Sequence, residues 1–150
     1  MAWKSGLFGC FAVKDAGLLC CISNLCCGPC IWSDALAQAG VSNARLYGLG
    51  SLFGRQLAAA GGAAGNSALE SVGDIYSATS AYGGRNALAA KYGITESSFD
   101  SFVAACCCRP CAQVQEVNTV MVREGLHYGC ASLEKDVLVV ETQSMQMARA

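Results

Sequence analysis

From Ser42 onward, apolar residues fall at three- and four-residue steps: Leu46, Leu49, Phe53 and Leu57. That period predicts a helix with one apolar face. The run AAAGGAAG at 58–65 predicts its stop. Ser67 and Glu70 then have the spacing of a capping box, and Leu69, Val72 and Tyr76 carry a second stripe as far as Gly83-Gly84. Arg85 to Tyr92 predicts a short third helix closed by Gly93. Ser97 and Asp100 repeat the box spacing ahead of Phe99, Phe102, Val103 and Cys106. Pro110 must break or kink that helix. Val114, Val117 and Met121 mark another, which should end near Gly125. The best strand candidate is VLVV at 137–140. Gly50 and Gly54 lie four apart and present two readings. They either let two helices approach closely, or merely weaken an alanine-rich helix by about 1 kcal/mol each. The second is the expectation.

Cysteine usage divides this pattern into regions. The chain has 150 residues and eleven cysteines. Residues 1–32 hold the first cysteine block, and 33–93 form a helical insertion without cysteine. Residues 94–130 hold the second block, and 131–150 the strand candidate and a tail. One domain, 1–150, accommodates all four. With 53% hydrophobic and 14% charged residues the chain can bury a core. The expected fold is mainly α: a small cysteine-rich core from two converging C-x-P-C blocks, inserted alanine/glycine-rich helices and little β.

Charge narrows the partners. Net charge is −1 and no stretch is strongly basic, which argues against nucleic acid and against electrostatic attachment to an anionic membrane. A spanning helix needs roughly 18 apolar residues. Ala16 to Trp32 approaches that length but contains Ser23, Asn24, Gly28 and Pro29. Arg45, Arg55, Glu70 and Asp74 speak against a membrane-spanning middle. The stripe of Leu46, Leu49, Phe53 and Leu57 must be covered, by the chain's own core or by a partner. The N-terminus shows neither a secretory leader nor an arginine-rich transit peptide, so the expected setting is an intracellular, reducing compartment.

The chemistry lies in the thiols. LCCISNLCCGPC, residues 19–30, places five cysteines in twelve positions, and CCCRPC follows at 106–111. Cys27-Gly-Pro-Cys30 carries the dipeptide of thioredoxin, but no βαβ pattern surrounds it. Cys27/Cys30 and Cys108/Cys111 are two C-x-P-C pairs. A proline between two thiolates fixes a turn that can aim both sulfurs one way, so the four together are candidate ligands of one tetrahedral zinc. Their separation is wide, with 77 residues between Cys30 and Cys108. Cys20, Cys21, Cys26, Cys106 and Cys107 either extend such a site, carry acyl chains, or pack as small apolar residues. His127, the only histidine, is an alternative ligand beside Cys130. No nucleophile–base–acid set, P-loop or dinucleotide fingerprint is present.

The stretches WKSGLFGCF, LCCISNLCCGPCIWSDAL and KYGITESSFDSFVAACCCRPCAQVQEVN resemble the placenta-specific-eight family. This is the onzin/cornifelin family, which includes plant cadmium-resistance and cell-number-regulator proteins. Three features depart from its pattern. Val114 stands close to a usual further cysteine, TESS replaces a glycine-containing turn, and the middle segment is long and lacks cysteine. The resemblance implies a small, non-enzymatic, cysteine-rich protein whose two cysteine blocks meet in space. The function expected is a structural or adaptor subunit of a larger protein assembly, stabilised by zinc. The alternative is a peripheral membrane-associated factor in divalent heavy-metal export or tolerance, and a second alternative is a thiol oxidoreductase.

Overall fold

The structure is a computed structural model that describes Trp3, residues 28–128 and residues 133–135. The strand candidate at 137–140 lies outside them. Among these residues five helices follow one another: α1 (Gly28–Gln38), α2 (Ala44–Ala63), α3 (Ser67–Tyr92), α4 (Ser98–Cys107) and α5 (Arg109–Glu124). A minimal antiparallel hairpin of β1 (Leu126–Tyr128) and β2 (Leu133–Lys135) follows α5, with His127 opposite Glu134. The fold is mainly α, as the periodicity implies.

Several boundaries follow from local chemistry. The α3 N-cap is Asn66 rather than Ser67; its side-chain oxygen accepts from the Leu69 amide at 3.1 Å. Ser97 caps α4, accepting from the Asp100 amide at 3.0 Å and donating to the Asp100 carboxylate at 2.7 Å. Gly93 and Gly125 end α3 and α5 in the left-handed conformation, at φ 61 and 63. Glycine adopts it without the clash that a Cβ would bring. Pro110 sits in the first turn of α5, where its missing N–H costs nothing. The break it enforces is one residue wide, at Cys108.

One expected boundary is absent. The helix predicted to stop at Gly83-Gly84 runs through them, so Arg85–Tyr92 is the last part of α3 and not a separate helix. The reason is tertiary. A Cβ on Gly84 would lie 2.5 Å from the Trp32 ring, and one on Gly83 would lie 2.8 Å from Tyr47. These glycines admit aromatic rings rather than end a helix.

The same principle organises α2 against α3. The inward face of α2 is Ala44, Gly48, Gly50, Ser51, Gly54 and Gly61. Gly54 faces the α3 backbone so closely that a Cβ there would lie 2.6 Å from the Ser77 nitrogen and 2.7 Å from the Gly73 carbonyl. Gly50 and Gly54 therefore serve close approach, and the expectation that they only weaken the helix is corrected. The two helices form a hairpin whose seam is glycine, serine and alanine.

The hydrophobic core lies at the other end of the molecule. Ile31, Trp32, Ala35 and Leu36 of α1, with Ala39 just beyond its end, pack with Leu88 of α3, Val117 and Val120 of α5, and Leu126 and Leu133 of the strands. Leu36, Leu88 and Val120 are fully buried, and each such side chain contributes about 1.5–3 kcal/mol. The β2 strand is tied to α1 where the Leu133 amide donates to Asp34 at 2.9 Å.

Candidate functional site: a buried charge cluster beside the cysteine blocks

Arg85 is a charged residue on the apolar side of α3 and is almost fully buried. Its Nε and Nη2 donate to the two oxygens of Glu96 at 2.8 and 2.6 Å, the paired geometry that suits a guanidinium and a carboxylate. Its Nη1 donates to Glu116 at 2.8 Å, and Nη2 also donates to the Gln115 carbonyl oxygen at 2.8 Å. The second oxygen of Glu116 accepts from the Trp32 indole at 2.5 Å. The Ser101 hydroxyl donates to Glu96 at 2.6 Å. Trp3 lies against the guanidinium, 4.2 Å from ring centroid to Cζ. Three segments distant in sequence, at Trp3, Glu96 and Gln115–Glu116, thus meet on one cation, and Trp32 and Ser101 join through its carboxylates.

The electrostatics follow from the count. Burial opposes the charge of Arg85, but hydrogen bonds and attraction from Glu96 and Glu116 outweigh it and raise its pKa. Burial also opposes ionisation of Glu96, yet the bonds from Arg85 and Ser101 hold its pKa below the ordinary value. Glu116 goes the other way. Complete burial pushes it up to about 7 against the pull of Arg85 and Trp32, and the Glu96 charge adds to the rise. One guanidinium between two carboxylates leaves a negative charge over, and the more deeply buried carboxylate is the one whose pKa is raised.

The thiols stand apart from this cluster. Cys30 is exposed in the first turn of α1, and Cys106 and Cys107 are exposed at the end of α4. Cys108 and Cys111 are half-buried at the α4–α5 junction and the start of α5. None of these five belongs to the described core, which is aliphatic and aromatic around Trp32. Of the expected zinc ligands, Cys27 lies outside the described residues. Cys30, Cys108 and Cys111 do not form a metal-holding group, and no three His, Cys, Asp or Glu side chains do so among the described residues. His127 sits in β1, half-exposed, 3.8 Å from the Glu134 carboxylate. Its proposed neighbour Cys130 is also outside the described residues.

The two blocks are nevertheless linked through the polar core. Trp32 follows Cys30 by two residues, and its partner Glu116 follows Cys111 by five. The Q-E pair at 115–116, which closes the second cysteine motif, supplies two of the acceptors for Arg85. The PLAC8 family model matches residues 3–119. The chain belongs to the PLAC8 family. No curated protein and no solved structure matches it. The stretch that matches the PLAC8 model begins at Trp3 and contains every member of the Arg85 cluster.

Sequence reasoning passed over that cluster. Arg85 reads as a helix-starting residue after two glycines, and Glu116 as part of a motif with no role attached. The available signal was Glu116 inside an apolar period: it lies between Val114 and Val117, both buried. A carboxylate on the inward side of a helix requires a buried cation.

No helix of the described residues is long and apolar enough to cross a membrane. Most of their exposed large apolar side chains are on the α2–α3 hairpin. Leu46, Leu49 and Phe53 of α2 and Val72, Ile75 and Tyr76 of α3 are each more than half exposed. Phe53 and Tyr76 meet edge to face across the seam, with centroids 5.9 Å apart and planes at 81°.

Proposed function

We propose that this protein is a non-catalytic structural or adaptor subunit that docks on another protein through the outer face of its α2–α3 hairpin. The observation that carries the reading is the exposure of that face. Leu46 and Ile75 are 66% exposed and Phe53 is 61% exposed. Isolated apolar side chains on a surface are ordinary, but a cluster on one hairpin marks an interaction site. The glycine seam explains why the face is free: it brings the helices together without using their large side chains, which point outward.

A protein suits this face better than a lipid surface. Helices that lie on anionic membranes carry lysine and arginine along the polar border. Here the exposed charges of the hairpin are mixed, with Arg45 set against Glu70 and Asp74. The partner's matching surface is an apolar helix or groove, filled by the Phe53–Tyr76 pair as its central anchor.

The test is Phe53→Asp. Because Phe53 is exposed, the isolated variant should unfold within about 0.5 kcal/mol of the wild type. The same change should remove the protein from its native assembly, followed by size and by identification of the co-purifying subunits. A variant that fails to fold makes the stripe internal core and refutes the reading. A variant that dissociates a dimer of the pure chain makes the occupant a second copy. Extraction that requires detergent, with no protein partner, favours the membrane-associated metal-tolerance reading instead.

A further inference from the structure

Cys108 and Cys111 flank Arg109-Pro110 where α4 gives way to α5. Both are half-buried thiols, with no disulfide between them. Cys108 is the residue before α5, and Cys111 is the third residue of that helix. The Cys108 carbonyl accepts the first bond of α5, from the Ala112 amide at 2.9 Å. The two residues between the cysteines are helical, so the Cα atoms of the pair stand about 5 Å apart. A disulfide spans Cα separations of about 4.4–6.8 Å. The chain uses the arrangement twice: Pro29 and Cys30 are likewise the second and third residues of α1.

The other pairings within the block are worse. Cys106, Cys107 and Cys108 are consecutive, and neighbours in sequence hold their Cα atoms about 3.8 Å apart, too close for an ordinary disulfide. Two thiols are also too few for a tetrahedral metal, and no third ligand joins them among the described residues. Within a helix, residues three apart hold their Cβ atoms about 5–6 Å apart, wider than the roughly 3.5–4.5 Å of a disulfide. Here the first cysteine lies outside the helix. At φ −130 and ψ 38, Cys108 is the single non-helical residue of the junction. A rotation there would carry its Cβ toward Cys111 and leave the bonds within α5 intact. Pro110 fixes its own φ and has no N–H to lose, so the first turn holds its shape while the sulfurs meet.

We propose that Cys108 and Cys111 form a reversible disulfide, a modification site whose oxidant is a low-molecular-weight disulfide of the glutathione class. One thiolate of the pair attacks a sulfur of the oxidant, RSSR. A mixed protein–S–SR bond forms, the S–S bond of RSSR breaks, and RS⁻ leaves. The second thiolate attacks the protein sulfur of that mixed disulfide, closes the Cys108–Cys111 bond and expels the other RS⁻. The two protons given up by the cysteines end on the two RSH. Two protein thiols are thus oxidised and one RSSR is reduced, and excess thiol reverses both steps. The closed form ties the one non-helical residue of the junction to the helix that supplies Gln115 and Glu116 to Arg85. The pair is separate from the apolar face of the hairpin and does not depend on the docking reading.

The experiment incubates reduced full-length protein with glutathione disulfide. Remaining thiols are blocked with light iodoacetamide, the sample is reduced, and newly freed thiols take heavy iodoacetamide before peptide mass spectrometry. A parallel unreduced digest maps glutathione adducts and linked peptides. Cys108 and Cys111 should carry the heavy label with no glutathione retained on either. Oxidation of the exposed Cys106 or Cys107 should instead leave a glutathione adduct. Dithiothreitol added before the block should return the pair to the light label. A nearby second thiol resolves a mixed disulfide quickly, so its removal traps the adduct. Cys111→Ser or Cys108→Ser should therefore hold roughly tenfold more glutathione at the remaining cysteine than the wild type does. Three results overturn the proposal: both cysteines stay light, they keep glutathione in the wild type, or they link to any other cysteine of the chain. The wild-type map decides this even where a serine variant fails to fold.

Discussion

Arg85 sits between Glu96 and Glu116 with one charge to offer two carboxylates; Arg85 and Glu116 are buried, and Glu96 is partly so. Replacing one member of such a set leaves a buried charge unpaired, which typically costs about 3–5 kcal/mol. The pH response has a definite sign. Glu116 is raised to about 7 in the fold, whereas an ordinary glutamate titrates near 4.5. Between those values the folded chain holds a proton that the unfolded chain has released. The stability from this group is therefore complete below the ordinary glutamate pKa and is lost as pH rises through about 7. The slope approaches at most about 1.4 kcal/mol per pH unit. Glu96, held below its ordinary value, acts in the opposite sense, and only at more acidic pH. Urea midpoints of the reduced protein should thus fall between pH 5 and pH 8. Glu116→Gln, which keeps the shape and removes the titration, should flatten that fall. An identical slope in wild type and variant would show that Glu116 is ionised throughout.

At the scale of elements, the helices were legible and their packing was not. The stripe from Leu46 to Phe53, the serine cap before α4 and the stops at Gly93 and Gly125 are local signals, and each has its counterpart in the structure. Gly50, Gly54, Gly83 and Gly84 were misread because a glycine that breaks a helix and one that seats a neighbour look alike in one dimension. Only the second helix tells them apart. The apolar stripe misled in a related way, since periodicity says which residues share a face but not whether it is covered. On α2 the covered face is the glycine face. The site divides similarly: the thiols were visible as a motif, whereas the Arg85 cluster joins residues up to 84 apart. Substitution tests the packing directly. Alanine normally improves on glycine in a helix by about 1 kcal/mol. Gly62→Ala should show part of that gain, because its Cβ would meet nothing nearer than the Glu70 carboxyl at 3.8 Å. Gly54→Ala should reverse the sign and destabilise by about 1–3 kcal/mol, because α3 backbone stands in the way. Thermal melts of the two variants side by side decide it. A gain at both positions would mean that the seam is loose.

Taken whole, the described molecule has two ends of different character. One holds the aliphatic core and the Arg85 cluster, where α1, the last turns of α3, α5 and the strands meet. The other is the far half of the α2–α3 hairpin. Between residues 56 and 75 only Gly61 and Gly73 are buried, so this half is held by backbone proximity and very little apolar area. Segments with few buried contacts open locally at a free energy below that of global unfolding. The hairpin therefore joins a stable base to a weakly held arm, and the arm carries Val72 and Ile75 of the exposed face. Docking a partner there would cover the apolar side chains and remove that local opening. Hydrogen exchange measures both states. In the isolated protein, amides of 56–75 should exchange well before those of 84–92 and 112–120. In the native assembly the difference should shrink, most strongly around Val72 and Ile75, while the core segments stay as they were. Uniform protection along α2 and α3 in the isolated chain would mean that the glycine seam alone holds the arm shut, and the face would then have to dock as a rigid surface.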